Sequence, residues 1–203
     1  MTDLTLPPFD AIVTREVRWF RPGPMPTAVL EWFTSATAEI DSEERTDWYD
    51  ADFAQDGVGV KRRGTSTVDA KFRVLESGAV DLAAGLTGRV EDWLKTSTPV
   101  GESSYDRGRH HLEIEKRIVT RRYPDPHAGE QSAGCEAELV TITVRDQVAW
   151  SMCFETFGRP EDRFDAFDSG IRSFVADTPL PDGLAFTADD SHGYPDWISR
   201  LVR

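Results

Sequence analysis

At 203 residues the chain is long enough for one large domain or two small ones, and its 39% hydrophobic and 10% aromatic content can fill a core, which excludes general disorder. A formal charge of −13 excludes a protein that coats nucleic acid through a broad basic face, though it leaves room for a local basic pocket. The opening MTDLTLPPFDA has neither a basic nor an apolar leader region, and no uninterrupted apolar run approaches the roughly 18 residues that a membrane span needs, so the expectation is a single cytoplasmic domain over 1–203 with residues 1–10 a flexible leader.

AIVTREVRWF (11–20) alternates β-branched and aromatic residues with others at period two and reads as a strand, ended by RPGP at 21–24. PTAVLEWFTSATAEI (26–40) spaces Val29, Leu30 and Phe33 as a helix does. RTDWYDADF (45–53) and VGVKRRG (58–64) read as a hairpin turning at Asp56-Gly57, followed by a strand VDAKFRVLES (68–77). Within LAAGLTGRVEDWLKTS a short helix is expected around 88–95, and TPVGESSYDRGR is a loop. HLEIEKRIVTRRY (111–123) is a strand, PDPHAGEQSAG a turn-rich connection, and CEAELVTITVRDQ with VAWSMCFETFG the clearest hairpin in the chain. Residues 159–178 place Phe164, Phe167, Ile171, Phe174 and Val175 on one helical face, and SHGYPDWISRLV is a short terminal helix. About eight strands in sequence-adjacent hairpins with two or three helices imply one α+β domain on an antiparallel sheet or barrel. Neither GxGxxG nor GxxxxGK[ST] occurs.

Three kinds of chemistry compete for the polar residues. Lys61 with Arg63, and Lys71 with Arg73, share a face on their strands. Facing into a barrel they would hold the oxygens of a phosphorylated anion through charge-assisted bonds; facing out they are ordinary solvated charges. Glu16, Glu155, Glu113 and Glu115 are strand carboxylates of the kind that hold Mg²⁺, and each reads equally well as an exposed glutamate. In HHLEIEKRIVTRRY, Glu113, Glu115 and Arg117 take one side and Leu112, Ile114, Lys116 and Ile118 the other. His110 and His111 are adjacent, His127 and His192 stand in loops, and no HxH, HExxH or Cys/His cluster supports zinc. No GxSxG elbow supports Ser/His/Asp hydrolysis. The six tryptophans are spread over different elements, as core residues are. Cys135 and Cys153 have no CxxC spacing and read as free thiols, with one disulfide between them as the alternative.

In their order these segments resemble the CYTH-type, or triphosphate tunnel metalloenzyme, superfamily over most of the chain. VTREVRWF sets Thr14, Glu16 and Arg18 where that family has Glu, Glu and Lys. WYDADFAQDGVGVKRRG sets Tyr49-Asp50 before Lys61 and Arg63, DAKFRV supplies Lys71 and Arg73, and KRIVTRRY supplies Arg117 with Arg121 or Arg122. WSMCFETFG carries Cys153 and Glu155 where two glutamates are expected, and SHGYPDW is similar to a Ser-Tyr tail segment. The resemblance implies an eight-stranded antiparallel barrel, open as a tunnel and flanked by helices. Arg18, Lys61, Arg63, Lys71, Arg73, Arg117 and Arg121 would bind a triphosphate, polyphosphate or nucleotide. Glu16 and Glu155 would hold Mg²⁺ or Mn²⁺, with Glu113 and Glu115 as substitutes if their face turns inward, water being their favoured surroundings. Thr14 and Cys153 depart from the pattern and weaken the metal half more than the phosphate half. Three expectations follow: a barrel that binds a phosphorylated small anion in a basic tunnel with at most weak metal-dependent triphosphate hydrolysis, a non-enzymatic binding module without metal, or an unrelated acidic α+β domain whose interior is apolar and whose Lys61, Arg63 and Lys71 face water.

Overall fold

The computed structural model describes residues 11–35, 39–53, 57–63, 67–99, 111–125, 133–158 and 163–202. The leader at 1–10, Gly64, His110, His127 and most of the two connections around 98–109 and 124–134 lie outside the described residues.

Eight strands close on themselves. They are β1 (Ala11–Pro22), β2 (Ile40–Asp50), β3 (Val58–Arg63), β4 (Thr67–Ala83), β5 (Leu86–Pro99), β6 (His111–Pro124), β7 (Gly134–Val144) and β8 (Gln147–Phe157). Their order around the barrel is β1-β5-β4-β3-β2-β6-β7-β8, and every pairing is antiparallel. Three helices accompany them: α1 (Thr27–Thr34), α2 (Arg163–Asp177) and α3 (Tyr194–Leu201). The α+β barrel expected from the sequence is the observed fold.

Two elements differ from the sequence reading. The helix expected over 26–40 stops at Thr34, and a strand already begins at Ile40. The helix expected around 88–95 is strand β5. Val90, Trp93 and Leu94 have helical spacing, but β5 is hydrogen-bonded on both edges, to β1 and to β4, and those two ladders override local pattern.

Closure sorts side chains into an outside and a bore, because successive residues of a strand point to opposite faces. Outside, Val17 and Trp19 of β1, Leu86 and Val90 of β5, and Met152 and Phe154 of β8 pack against α1 and α2. The helices contribute Val29, Trp32 and Phe33, and Phe167, Ile171 and Phe174. Phe164, expected on that face, is instead exposed, with the Arg15 guanidinium 3.8 Å above its ring. Trp19, Trp32, Trp93, Trp150 and Trp197 are all buried. Burial of each such side chain contributes roughly 1.5–3 kcal/mol, so this outer cluster is a principal source of stability.

Inside, one end of the bore is also apolar. Phe20, Leu112, Ile114, Ile142 and Val144 meet Tyr194, Trp197 and Ile198 of α3 there. The expected open tunnel is therefore closed at one end, and the barrel is a cup.

Gly88 shows how closely the outer layer is packed. A Cβ at this position would lie 2.4 Å from Val17 Cγ2 and 2.8 Å from Trp19 Cζ2, while Trp19 donates its indole N–H to the neighbouring Thr87 carbonyl at 2.9 Å. Gly88→Ala should therefore destabilise by about 1–3 kcal/mol, as overpacking does. An uncrowded strand glycine would give a small gain on the same change. Urea melts of the two proteins decide the sign.

Candidate functional site

The other end of the bore is a polar cavity of about 730 Å³. Alternation along each strand determines what reaches it. From β1 come Thr14, Glu16 and Arg18, and from β2 Glu43, Arg45 and Tyr49. β3 supplies Lys61 and Arg63, β4 Asp69 and Lys71, and β5 Lys95. β6 contributes Lys116 and Arg122, β7 Glu136 and Glu138, and β8 Glu155. In the closed order, β3 and β4 stand across the bore from β7 and β8. One wall is thus mainly cationic, with Lys61, Arg63, Lys71 and Lys95 around Asp69, and the opposite wall carries Glu136, Glu138 and Glu155.

Each charge in this poorly solvated space has a partner, because an unpaired buried ion is costly. Lys71 Nζ lies 2.6 Å from Glu16 Oε2, and Lys95 pairs with Glu155. Arg18 reaches Glu138 at 2.9 Å and donates to Ser151 Oγ at 3.2 Å. Asp47, wholly buried, accepts from Lys116 at 2.6 Å and Lys61 at 3.1 Å, and Lys116 also donates to Tyr49 Oη at 2.9 Å.

The titration shifts follow from this crowding. Burial alone would raise Asp47, but Lys116 and Lys61 hold it well below the usual carboxylate range. Two ammonium groups share that one carboxylate, so both lysines are lowered by burial and by neighbouring cations: Lys61 to about 8, Lys116 well below its ordinary value. Lys95 falls to about 7, through burial and then Lys71. Glu138 is held at about 2 because Arg18 outweighs its burial. Glu16 is lowered because Lys71, Lys95 and Arg18 together outweigh complete burial.

Of the residues singled out in the sequence, Arg18, Lys61, Arg63, Lys71, Arg122, Glu16 and Glu155 converge on the cavity, with Thr14 and Tyr49 also in its lining. The rest do not. Glu113, Glu115 and Arg117 project outward from β6, and Arg117 is 77% exposed beside Glu44. That face is forced: Leu112, Ile114 and Ile118 fill the bore, so the residues between them must face water. Arg121 sits on the same outer face but under α2, wholly buried, where Asp177 pairs with it and Thr178 Oγ1 accepts from it at 3.0 Å. Arg73 lies below the cavity and binds Glu91 at 2.7 Å and Asp196 of α3 at 2.9 Å. Cys153 and Cys135 are both buried free thiols, Cys135 against the outer helices, and burial raises the thiol of each.

Lys95, Lys116, Arg45, Asp47, Glu136 and Glu138 were missed by the sequence reading. The signal for Glu136 and Glu138 was available, since they alternate with Cys135, Ala137 and Leu139 in the most legible hairpin.

The anionic wall has the donor chemistry for a hard divalent cation. Glu16, Glu155 and Glu136 are opposed in register on three neighbouring strands, and Glu16 Oε1 is buried without a hydrogen-bond partner. Among the described residues, however, no three His, Cys, Asp or Glu side chains converge as a metal cage. Lys71 and Lys95 occupy the carboxylates that would have to turn inward.

No family model and no curated protein matches the chain. Among solved structures it is similar to the Pct1 RNA triphosphatase of S. pombe, at 9% identity and a TM-score of 0.37 over 84% of this chain and 82% of that one. At that score the likeness does not bear on function.

Asp47→Asn is expected to cost about 3 kcal/mol at pH 7, because Lys61 and Lys116 lose the carboxylate they share. Both lysines titrate lower in the folded than in the unfolded chain, so the unfolded state binds more protons above pH 8 and stability rises with pH there. The variant's deficit should accordingly shrink toward pH 10. Urea melts of both proteins at pH 7 and 9.5 measure it.

Proposed function

We infer that this barrel binds a polyphosphate-bearing small anion in its cup, in the manner of the triphosphate tunnel superfamily that its sequence resembles. The observation that carries the reading is the convergence of Lys61, Arg63, Lys71 and Lys95, from three adjacent strands, on one 730 Å³ cavity. Scattered surface charges would not converge, and an ordinary barrel interior would not hold them. Four cations within reach of one ligand neutralise several phosphoryl oxygens at once, and the arginine offers a bidentate fork.

The described carboxylates form no metal cage by themselves, so Glu16 and Glu155 would hold Mg²⁺ or Mn²⁺ only together with ligand oxygens, once their lysines are drawn off. Such an ion, when bound, polarises a phosphoryl group and organises attacking water. The chain's own groups have a separate task. In the unliganded cup the lysines and carboxylates neutralise one another; a phosphate chain takes over the lysines and frees the carboxylates for a cation. Ligand and metal binding would therefore reinforce each other. Net attraction for an anion comes from replacing a crowded, partly deprotonated lysine set by one stabilised as ammonium.

A second reading, binding without hydrolysis and without metal, is favoured by Thr14 and Cys153, neutral side chains where the family pattern has carboxylates. Both readings share the phosphate half and differ in the metal half.

Calorimetry with tripolyphosphate tests the shared half. Lys61→Ala and Lys71→Ala should each weaken binding at least tenfold, whereas Arg117→Ala, on the outer face, should leave it unchanged. Wild-type affinity preserved in both lysine variants would remove the cavity from consideration. Repeating the titration in EDTA and with Mg²⁺ or Mn²⁺, alongside phosphate release, separates the readings: affinity indifferent to metal, without turnover, selects the binding module.

Proton linkage offers an independent check. Lys61 titrates at about 8, so at pH 8 a substantial fraction is neutral, and an anion raises its pKa again. Binding at pH 8 should take up protons, and the apparent binding enthalpy should vary with the ionisation enthalpy of the buffer. At pH 6, where Lys61 is already charged, that dependence should fall.

A further inference from the structure

The cavity is blind, and the side chain at its blind end is placed to do more than fill space. α3 is fastened across the lower mouth. Asp196 accepts from the Gly57 N–H at 3.1 Å and from Arg73 at 2.9 Å, and a Cβ at Gly59 would lie 2.8 Å from Pro195 Cγ. Trp197 stacks on Phe20, with centroids 4.7 Å apart and planes 6° from parallel, and Ile198 is completely buried. This apolar plug ends at one residue, Tyr194, whose ring stacks on Tyr49 at 5.8 Å and meets the edge of Phe20 at 5.1 Å.

The upper side of Tyr194 belongs to the polar cavity. Lys116 Nζ stands 4.0 Å and the Arg18 guanidinium 4.8 Å from its ring centroid. The hydroxyl is buried and approaches Ser151 without completing a hydrogen bond. Burial pushes the phenol well above its ordinary pKa, so it stays a proton donor throughout the neutral range. A buried donor beside Arg18 and Lys116, with no acceptor, suits an anion's end.

We propose that Tyr194 is a binding and specificity residue: a ligand enters the cup end first, and the Tyr194 hydroxyl donates to its innermost phosphoryl group, so that the protein selects linear phosphate chains over cyclic ones. The inference rests on the polyphosphate reading above and narrows it. A linear chain presents a terminal phosphoryl group to Tyr194, Arg18 and Lys116 together. A ring of the same three phosphorus atoms has no terminal group and must enter broadside.

The test is calorimetry on the full chain with tripolyphosphate and with trimetaphosphate, for wild type and Tyr194→Phe, at two salt concentrations to separate fit from total charge. Wild type should bind tripolyphosphate at least tenfold more tightly than trimetaphosphate at both. Tyr194→Phe keeps the ring and should lose about tenfold for tripolyphosphate, the size of one hydrogen bond to a charged group, with no loss for trimetaphosphate. A melt of unliganded Tyr194→Phe at the wild-type temperature confirms that the plug is intact. A lowered melt calls for the same titrations with 3-fluorotyrosine in place of Tyr194, a stronger donor of nearly the same shape, which should widen the linear-over-cyclic preference. Equal affinity of wild type for the two phosphates overturns the proposal, as does unchanged tripolyphosphate affinity in Tyr194→Phe, or an unwidened preference with 3-fluorotyrosine. Failure of wild type to bind tripolyphosphate at all overturns the polyphosphate reading itself.

Discussion

A closed sheet sends every second side chain of eight strands into one bore, and everything else in this protein follows from how that bore is filled. Groups buried in such a space, away from bulk water, need an apolar neighbour or an opposite charge. The chain uses both solutions, one at each end. Below, Leu112, Ile114, Ile142 and Phe20 interlock with α3. Above, lysines, arginines and carboxylates pair between strands that are adjacent or next but one in the barrel. The two regimes meet within single strands: on β6 the inward face runs Leu112, Ile114, Lys116, Ile118, Thr120, Arg122.

Pairing in the upper half has a consequence for binding. Replacing a buried ion pair with apolar residues is often neutral or stabilising by about 1–4 kcal/mol, so these pairs are poor evidence for stability as such. Segregation between walls is partial: the lysines of β3 to β5 stand opposite or obliquely to the glutamates of β7 and β8, while Asp69 lies among the cations and Asp47 and Glu16 stand between the two sets. Segregation makes the two sets separable by a ligand that carries negative charge on one side and recruits positive charge on the other. The depressed lysines express the same tension. Lys61 is lowered by burial and then by Arg63 and Arg45, and Lys95 by burial and then by Lys71, a condition that an anion among them would relieve.

The alternation that creates the bore was legible in the sequence wherever one face of a strand was plainly apolar. β1, β3, β7 and β8 were readable on that basis, and the inward direction of Lys61, Arg63 and Lys71 came with the resemblance. Lys116 was obscured because it shares its face with Leu112, Ile114 and Ile118, and a lysine among aliphatics looks like an interruption rather than a ligand. The resemblance points Arg121 at the cavity because the sequence does not reveal that α2 covers the outer face of β6. Lys95 was lost with its strand, since Val90, Trp93 and Leu94 imitate helical spacing. What sequence could not supply, in each case, was the second surface against which a strand packs.

That same limitation explains why the floor of the cup was invisible. The sequence identifies a short terminal helix but not where it docks, and its docking turns a tunnel into a cavity. Once Asp196 is tied to Arg73 and the Gly57 N–H, the position before Pro195 lies at the boundary between the apolar plug and the charged cup. A purely apolar side chain there would leave Arg18 and Lys116 above a surface with no hydrogen-bonding capacity. A charged one would have to be buried against Phe20 and Trp197. Tyrosine satisfies both sides, with its ring in the stack beneath Arg18 and Lys116 and a hydroxyl that can donate. The chemistry of the boundary thus selects the residue type, and the residue type in turn gives the floor a directed donor.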